Sequence, residues 1–272
     1  MRNTTLSLTL SIFLLALLCS CSRPVDLGPI RLAEHNREAD SDVLKDALSG
    51  GSAEEKLAAA IAMGRIQSEA YVGPLTAALA DPGPGVRDAA IFALGQFGMV
   101  EKVPEEAVAA VRGLLSSEEV VELALAVAAL GKLAPADGPE LLAPFLNHEA
   151  APVREEAAHA MMRWRFTPVW RGEVEEPAAW SDEASAALAA ALGDTEPDVR
   201  IAAAHAFSRY GDERALSSLA EAADDDEPLV RLFAVRGVGR SGIPEAADTI
   251  AWGLTDPDPG VRAETVQAMG TL

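Results

Sequence analysis

Residues 194–208 read DTEPDVRIAAAHAFS, and four other segments of the chain share this pattern. Each segment contains a Val-Arg pair, and in four of the five an Asp lies six residues before the Arg. Arg200, Arg231 and Arg262 follow one another at intervals of 31 residues, a period typical of stacked helical repeats. The other four segments are DPGPGVRDAAIFALG (81–95), HEAAPVREEAAHAMM (148–162), DDEPLVRLFAVRGVG (225–239) and DPDPGVRAETVQAMG (256–270).

Two degenerate copies bring the number of repeat units to seven. They are AEEKLAAAIAMG (53–64) and SEEVVELALAVAALG (117–131). The third unit places Leu123 where the other units have the basic residue, which predicts an interruption there. Arg154 and Arg200 are separated by 200 − 154 = 46 residues instead of 31, which predicts an insertion at about 163–180.

The repeat pattern is typical of a pair of helices joined by a short turn. An Asp such as Asp194 can accept hydrogen bonds from free backbone N–H groups of the turn, and Pro197 suits the first turn of the second helix. Val86, Ala90 and Ala93 then lie on one apolar stripe of that helix. A Gly near the end of most units predicts a left-handed helix cap. The pattern therefore predicts an all-α fold of about seven helix pairs.

The repeat resembles the HEAT-like repeats named after phycobilisome lyases, and the resemblance covers about residues 41–272. It implies a right-handed α-α superhelix, a HEAT/armadillo-like solenoid, but it does not imply a lyase activity. It also implies that repeat Arg and Asp residues form a hydrogen-bonded ladder between neighbouring units. The residues expected in this ladder are Asp81, Arg87, Arg154, Asp194, Arg200, Asp225, Arg231, Asp256 and Arg262.

Composition agrees with helices packed through small side chains. Of the 272 residues, 49% are hydrophobic but only 5% are aromatic. The chain has 22 Lys and Arg against 42 Asp and Glu, a formal net charge of −20. A surface of that charge repels phosphate backbones, so we expect no nucleic-acid partner.

The N-terminal segment indicates export and lipid attachment. Residues 1–20 have the layout of a signal peptide, and the quartet Leu18-Cys19-Ser20-Cys21 resembles the lipobox of bacterial lipoproteins. The resemblance implies lipidation of Cys21. The residues that follow lack a sustained apolar period and contain two Pro, which predicts a tether over residues 21–40. Ser22 indicates the outer membrane, facing the periplasm. We therefore expect a protein of the bacterial cell envelope that contacts the membrane through its lipid anchor only.

The insertion is the first candidate for a partner-binding site. Residues 162–180 read MRWRFTPVWRGEVEEPAAW and contain three of the four Trp, and Trp and Arg dominate binding hot spots. The alternative is that the insertion folds back between units four and five, which would move the binding surface to a ridge through Phe92, His159, His205 and Arg236. The candidate residues of the insertion are Arg163, Trp164, Arg165, Phe166, Trp170, Arg171 and Trp180.

No arrangement of residues predicts catalysis. The GVGRSG motif at 237–242 matches a dinucleotide fingerprint but lies within a helical repeat instead of after a strand. His148-Glu149 and the pair Glu156 and His159 are too few for a carboxylate-bridged metal pair. We expect no cofactor, no metal and no enzyme activity, and a scaffold that binds another protein. The alternatives are a metal-dependent hydroxylase of the deoxyhypusine hydroxylase type and a self-assembling structural lipoprotein.

Overall fold

The protein is all-helical over the residues that the computed structural model describes, 25–83 and 85–272. Cys21 and the signal segment lie outside these residues. The described part contains fifteen α-helices, short 3-10 helices and no strand, which confirms the predicted fold class. The α-helices are α1 Gly28–His35, α2 Asp42–Gly50, α3 Ala53–Ile66, α4 Val72–Ala78, α5 Val86–Gln96, α6 Glu105–Arg112, α7 Val120–Leu133, α8 Gly138–Leu142, α9 Ala151–Trp170, α10 Asp182–Ala190, α11 Pro197–Tyr210, α12 Leu216–Ala222, α13 Pro228–Gly239, α14 Ala247–Ile250 and α15 Pro259–Thr271.

From α2 onward the helices form seven pairs. The first helices are short and several continue into a 3-10 turn, whereas the second helices (α3, α5, α7, α9, α11, α13 and α15) are longer. Each second helix packs against the next along the whole chain, and the first helices contact one another much less. The apolar core therefore runs as one continuous layer through the row of second helices.

The segment before the first pair differs from the predicted tether. Residues Gly28–His35 form α1, which packs on α2 and α3. Ile30 and Ala33 are three residues apart, so they lie on the same side of the helix, where both are buried. Two buried side chains are enough to dock one short helix, although they are too few to give a periodic signal in the sequence. The tether prediction is wrong from residue 28 onward.

The turns within the pairs follow from the Asp and Pro of the repeat. The Oδ1 atom of Asp194 accepts a hydrogen bond from the backbone N–H of Glu196 at 2.9 Å, and Asp225 does the same with Glu227 at 2.8 Å. Pro197 and Pro228 are the first residues of α11 and α13, where the absence of an N–H costs nothing.

The repeat glycines have a role other than the predicted left-handed cap. Gly64, Gly95, Gly131 and Gly239 lie inside the second helices and have ordinary negative φ angles. A Cβ atom on Gly131 would lie 2.5 Å from the Cα atom of Ala160 in the next second helix, and the other three would meet an Ala in the same way. The left-handed cap prediction is wrong, because the glycines permit close contact between consecutive helices. The left-handed residues lie three positions later, at Gln67, Ala134, Gly211 and Gly242.

Ion pairs connect consecutive units through the repeat Arg. Arg200 donates from Nε and Nη2 to the carboxylate of Asp225 at 2.7 and 3.0 Å, and from Nη1 to the carbonyl of Asp194 at 2.9 Å. Arg154 bonds Asp194 and Arg231 bonds Asp256 in the same bidentate way. Each guanidinium thus joins the turn of its own unit to the turn of the next.

The ladder continues with changes toward the N-terminal units. Lys56 donates to Asp81 at 2.6 Å, and Arg87 bonds Glu122, because Ser117 occupies the Asp position of the third unit. Leu123 leaves the third unit without a basic group at this position. His148 replaces the Asp of the fourth unit, and its Nδ1 atom accepts from the N–H of Ala150 at 3.1 Å. Arg262 bonds the turn carbonyls of its own unit, at Asp256 and Pro257.

The basic partners in the ladder lower the pKa values of its Asp carboxylates. Hydrogen bonds from Arg154 and Arg231 lower the pKa of Asp194 and Asp256 below the ordinary Asp value. Burial acts to raise the pKa of Asp225, but the hydrogen bonds from Arg200 and the Glu227 N–H, together with the charges of Arg200 and Arg231, outweigh it and the net shift is downward. The contribution of these groups to stability is therefore present above the ordinary Asp pKa of about 3.9 and is lost as the pH falls below it.

We predict that Arg200→Ala lowers the free energy of unfolding by about 2–4 kcal/mol, because it leaves a half-buried carboxylate and a turn carbonyl without their donor. Arg112→Ala is the matched control. Arg112 also forms a bidentate pair, with Asp137 at 2.8 and 2.9 Å, but both side chains are largely exposed. Its loss should cost less than about 1 kcal/mol. Urea unfolding of both variants checks this, and equal losses would contradict a structural role of the ladder.

Candidate functional site

The predicted insertion is divided between a longer helix and a longer connection. Helix α9 runs from Ala151 to Trp170, 20 residues against 14 in α11, with Pro168 inside its last turn. The remaining added residues connect α9 to α10 over positions 171–181. Only the helical part of the insertion therefore belongs to the row of second helices.

Two of the three tryptophans of this segment are buried. The Trp164 indole donates from Nε1 to the carbonyl of Pro135 at 2.7 Å. Trp180 is 2% exposed, donates to the carbonyl of Met161 at 3.1 Å, and lies edge-on to Phe207 with ring centroids 5.4 Å apart. Both indole N–H groups are satisfied inside the protein, as buried Trp requires.

Arg165 is also part of the packed interior. Its guanidinium lies over the rings of Trp180 and Tyr210, 4.4 and 4.6 Å from their centroids. Burial lowers the pKa of this guanidinium, and no carboxylate lies within 4.0 Å of it among the described residues. The two rings take the place of a counter-ion, so Arg165 holds the connection 171–181 against α11.

Arg171 extends in the opposite direction, toward earlier units. Its side chain is 5% exposed and donates to the carbonyls of Gly98 and Leu133 at 3.1 and 3.4 Å. These carbonyls lie at the ends of the second helices of units two and three. The guanidinium thus satisfies helix C-termini one and two units before its own.

Trp164, Arg165, Arg171 and Trp180 are therefore withdrawn as partner-binding residues, because their side chains are buried. The alternative, in which the insertion folds back between units four and five, describes Arg165 and Trp180, whereas Trp164 and Arg171 are buried against the preceding units. Trp170 does not fit this alternative, because its side chain is 53% exposed. Arg163 and Phe166 are half-buried on the exposed side of α9, where Arg163 donates to Glu156 at 2.9 Å.

The ridge five residues after the repeat basic residue is continuous over units four to six, and Ala128 of unit three separates it from Phe92. Phe92 is 45% exposed, and the half-buried rings of His159 and His205 meet at a centroid distance of 6.3 Å. His205 stacks in turn on Phe233 at 4.8 Å, and the guanidinium of Arg236 lies 5.8 Å from the same ring. Side chains of units four, five and six thus touch one another across the second helices.

Cations accompany the aromatic rings along this face. Lys132 lies 4.7 Å from the centroid of Phe92, and Arg209 lies 5.7 Å from that of Phe166. We call the surface formed by Phe92, His159, His205, Phe233 and Arg236 the inner ridge. The sequence pattern did not identify Phe233, because it lies two residues after Arg231 and not five. Its position three residues before Arg236, on the same side of the helix, would have indicated it.

The histidines and carboxylates do not form a metal centre in the part of the chain that the structure covers, where no three potential ligands come together. His148 uses its Nδ1 atom to accept a backbone hydrogen bond, which gives it the role of the repeat Asp. His159 and His205 pack against each other and Phe233 through their rings. This face is therefore suited to contacts with another molecule's side chains.

The comparisons with known proteins agree with this architecture. A family model described as HEAT repeats matches residues 41–125, 172–232 and 221–272, more than half of the chain. The protein belongs to the HEAT-repeat family. No curated protein sequence matches it. No helix of the described residues is long and apolar enough to cross a membrane.

Several solved structures share the fold at low sequence identity. An engineered protein is 21% identical, with a TM-score of 0.57 over 89% of this chain and 74% of that one. Escherichia coli YibA is 16% identical, with a TM-score of 0.54 over 92% and 99%. A designed armadillo repeat protein is 19% identical, with a TM-score of 0.53 over 74% and 99%. These similarities establish the solenoid fold alone.

We predict that Trp180→Ala lowers the free energy of unfolding by about 3–5 kcal/mol, because it empties a fully buried site between α9 and α11. Trp170→Ala is the matched control, and because Trp170 is exposed its loss should stay within about 0.5 kcal/mol. Thermal or urea unfolding distinguishes the two. A stable Trp180→Ala variant would show that the connection 171–181 does not hold units four and five together.

We predict that stability decreases as the pH falls from 7 to 5.5, because of His159 and His205. Burial lowers the pKa of both imidazoles. At His159 the charge of Arg163 lowers the pKa further and that of Glu156 raises it. At His205 the charges of Arg209, Arg236 and Arg163 lower the pKa further. Below about pH 6.5 the unfolded state therefore binds more protons than the folded state, so stability is lost with decreasing pH.

The measurement is the melting temperature across this pH range in the His159→Gln/His205→Gln double variant. The variant should show a flatter pH profile than the parent. His35→Gln, at the exposed end of α1, should keep the parent's profile. An unchanged profile in the double variant would contradict the assignment.

Proposed function

We propose that the protein is a non-catalytic scaffold that binds another protein through the inner ridge. The observation that carries the proposal is the contact series of His159, His205, Phe233 and Arg236, with Phe92 at the equivalent position two units before His159. It places an exposed Phe92 and four half-buried aromatic and cationic side chains on one face of a chain that is only 5% aromatic. Aromatic residues and Arg are enriched at the centres of protein interfaces.

The row of second helices supports this use of the ridge. The core beneath the ridge is packed through small residues, so its side chains stand on helices that are fixed at close spacing. A rigid surface loses little side-chain freedom on binding, which favours recognition without rearrangement. No cluster of acids, bases and nucleophiles accompanies the ridge, and no observation favours the hydroxylase or self-assembly alternatives.

We further propose that the scaffold is attached to the bacterial cell envelope through a lipid on Cys21. The support is the sequence of residues 1–21 alone, together with the position of α1. Between Cys21 and the start of α1 at Gly28 there are 28 − 21 = 7 residue steps, which span at most about 25 Å. The solenoid would therefore lie close to the membrane surface, with a tether shorter than the sequence predicts.

We predict that Cys21→Ser abolishes incorporation of a labelled fatty acid and releases the protein from the membrane fraction or leaves its signal segment uncleaved. The reason is that a single thiol would carry the whole attachment. Cys19→Ser is the matched control and should be labelled like the parent. A Cys21→Ser protein that is processed and remains firmly membrane-bound would overturn the anchor and assign the attachment to the solenoid.

The scaffold proposal is tested by site-specific photocrosslinking in cells. A benzophenone amino acid in place of Phe92 should produce a discrete adduct with one partner protein. The same amino acid in place of Val43 is the matched control, because Val43 is 44% exposed on a first helix, away from the ridge. Equal adducts at both positions, or none at Phe92 and His205, would contradict binding through the inner ridge.

A further inference from the structure

A second regularity lies one helical turn beyond the inner ridge, nine residues after the repeat basic position. That position is basic in five of the seven units and acidic in none, although acidic residues outnumber basic ones 42 to 22 in the chain. The occupants in chain order are Arg65, Gln96, Lys132, Arg163, Arg209, Arg240 and Thr271. Four consecutive units, three to six, carry Lys132, Arg163, Arg209 and Arg240, which we call the basic row.

The basic row lies on the same face as the inner ridge. Arg163 and Arg209 follow His159 and His205 by four residues, and Arg240 follows Arg236 by four, so each pair is stacked on one side of its helix. Arg209 and Arg240 are exposed, and Lys132 and Arg163 are half-buried. Because the second helices pack consecutively, the four cations cross the surface as a line.

The charges of the basic row are mostly uncompensated. Within residues 25–83 and 85–272, no carboxylate lies within 4.0 Å of Lys132, Arg209 or Arg240, and only Arg163 has a partner, Glu156. Burial and the nearby charge of Arg163 both lower the pKa of Lys132. Like charges held close together create a local positive potential that an anion would relieve.

Helix dipoles alone do not explain the row. Lys132 and Arg209 lie in the last turns of α7 and α11, and Arg240 directly follows the end of α13, where basic residues are favoured. Arg163, however, lies seven residues before the end of α9 at Trp170, too far from the C-terminus to interact with its dipole. Six of the seven first helices have no basic residue in their last turn, and α6, with Arg112, is the exception. The row therefore keeps its place on the surface even where the helix continues beyond it.

The spacing of the row defines the ligand that fits it. Adjacent packed helices lie about 8–10 Å apart. A peptide in the extended polyproline II conformation advances about 3.1 Å per residue with three residues per turn, so every third side chain lies on the same side, about 9 Å from the last. We propose that the basic row binds an acidic peptide segment of the partner in this extended conformation, with a carboxylate at every third residue over about ten residues. The inner ridge would receive side chains that lie between the carboxylates.

A narrow ligand suits the surroundings of the row better than a broad polyanion. Asp88, Glu155 and Asp198 lie near the starts of their second helices, two turns or more before the row. A nucleic-acid duplex or an anionic bilayer would reach these carboxylates and the rest of a surface with net charge −20. A single extended chain contacts the row alone.

The test measures fluorescence anisotropy of a labelled ten-residue peptide, with Glu at positions 1, 4, 7 and 10 and Ala or Ser between them, against the full-length protein in detergent. We expect saturable binding that weakens with added NaCl, and none with the peptide in which Lys replaces each Glu. Lys132→Gln/Arg209→Gln should weaken binding at least tenfold. Arg31→Gln/Lys102→Gln makes the same change in charge at exposed positions outside the row and should bind as the parent does.

Absence of saturable binding, or equal weakening in both double variants, would overturn the proposal. Binding of an oligonucleotide or of anionic vesicles that depends on Lys132 and Arg209, without binding of the Glu peptide, would also overturn it. The inference rests on the proposed scaffold function, and crosslinking distinguishes a failure of the acidic-peptide inference from a failure of the scaffold proposal. If the Phe92 adduct forms equally in the Lys132→Gln/Arg209→Gln background, the scaffold stands and the acidic-peptide inference fails.

Discussion

Close contact between consecutive second helices is the constraint on which the rest of the structure depends. A glycine in one helix faces an alanine in the next at distances that leave no room for a Cβ atom, as Gly64 does with Ala93 and Gly131 with Ala160. This contact fixes the spacing at four of the six junctions between second helices, and with it the spacing of what those helices carry; Met162 and Ser208 take the glycine position in α9 and α11. The Arg–Asp ladder then joins the turns at one end of these helices, where each guanidinium bonds its own turn and the next one. Packing sets the distance between units, and the ladder fixes their orientation.

The junction between units three and four shows how the fold is maintained where the ladder is interrupted. Leu123 provides no cation there, and His148 provides no carboxylate. The extension of α9 supplies other connections in the same region: Trp164 bonds the carbonyl of Pro135, and Arg171 bonds those of Leu133 and Gly98. The aromatic and cationic residues that distinguish the insertion in the sequence are thus used mainly to brace units two to five. Their types are those of a binding hot spot because both tasks require large contact area and strong donors.

The sequence predicts the features that depend on local spacing, and it misses those that depend on neighbours in space. Repeat period, helix pairs and the Pro at helix starts follow from the pattern alone. The role of the repeat glycines does not, because a Gly near a helix end has the same appearance whether it caps that helix or faces an Ala 29 to 34 residues later. Glu122 replaces the Asp that the repeat pattern places at position 117. Its longer side chain reaches the Arg87 guanidinium from the helix, whereas an Asp would reach it from the turn. Burial of Trp180 depends on Phe207, Arg165 and Met161, which only the folded chain brings together.

The ladder Arg and the row Arg of units four to six occupy opposite sides of one helix, which separates the requirements of folding from those of recognition. At about 100° per residue, a position nine residues after the ladder Arg is rotated by about 900°, equivalent to 180°. The ladder guanidinium is directed into the turns, where its charge is matched by an Asp of the same chain. The residue nine positions later faces away from the ladder, and in three of the four units of the basic row no carboxylate of the described residues pairs with it. Substitutions along the row therefore change the surface potential while the ladder and the Gly–Ala contacts remain intact. A solenoid built in this way can vary its ligand one unit at a time without altering the spacing at which the ligand is held.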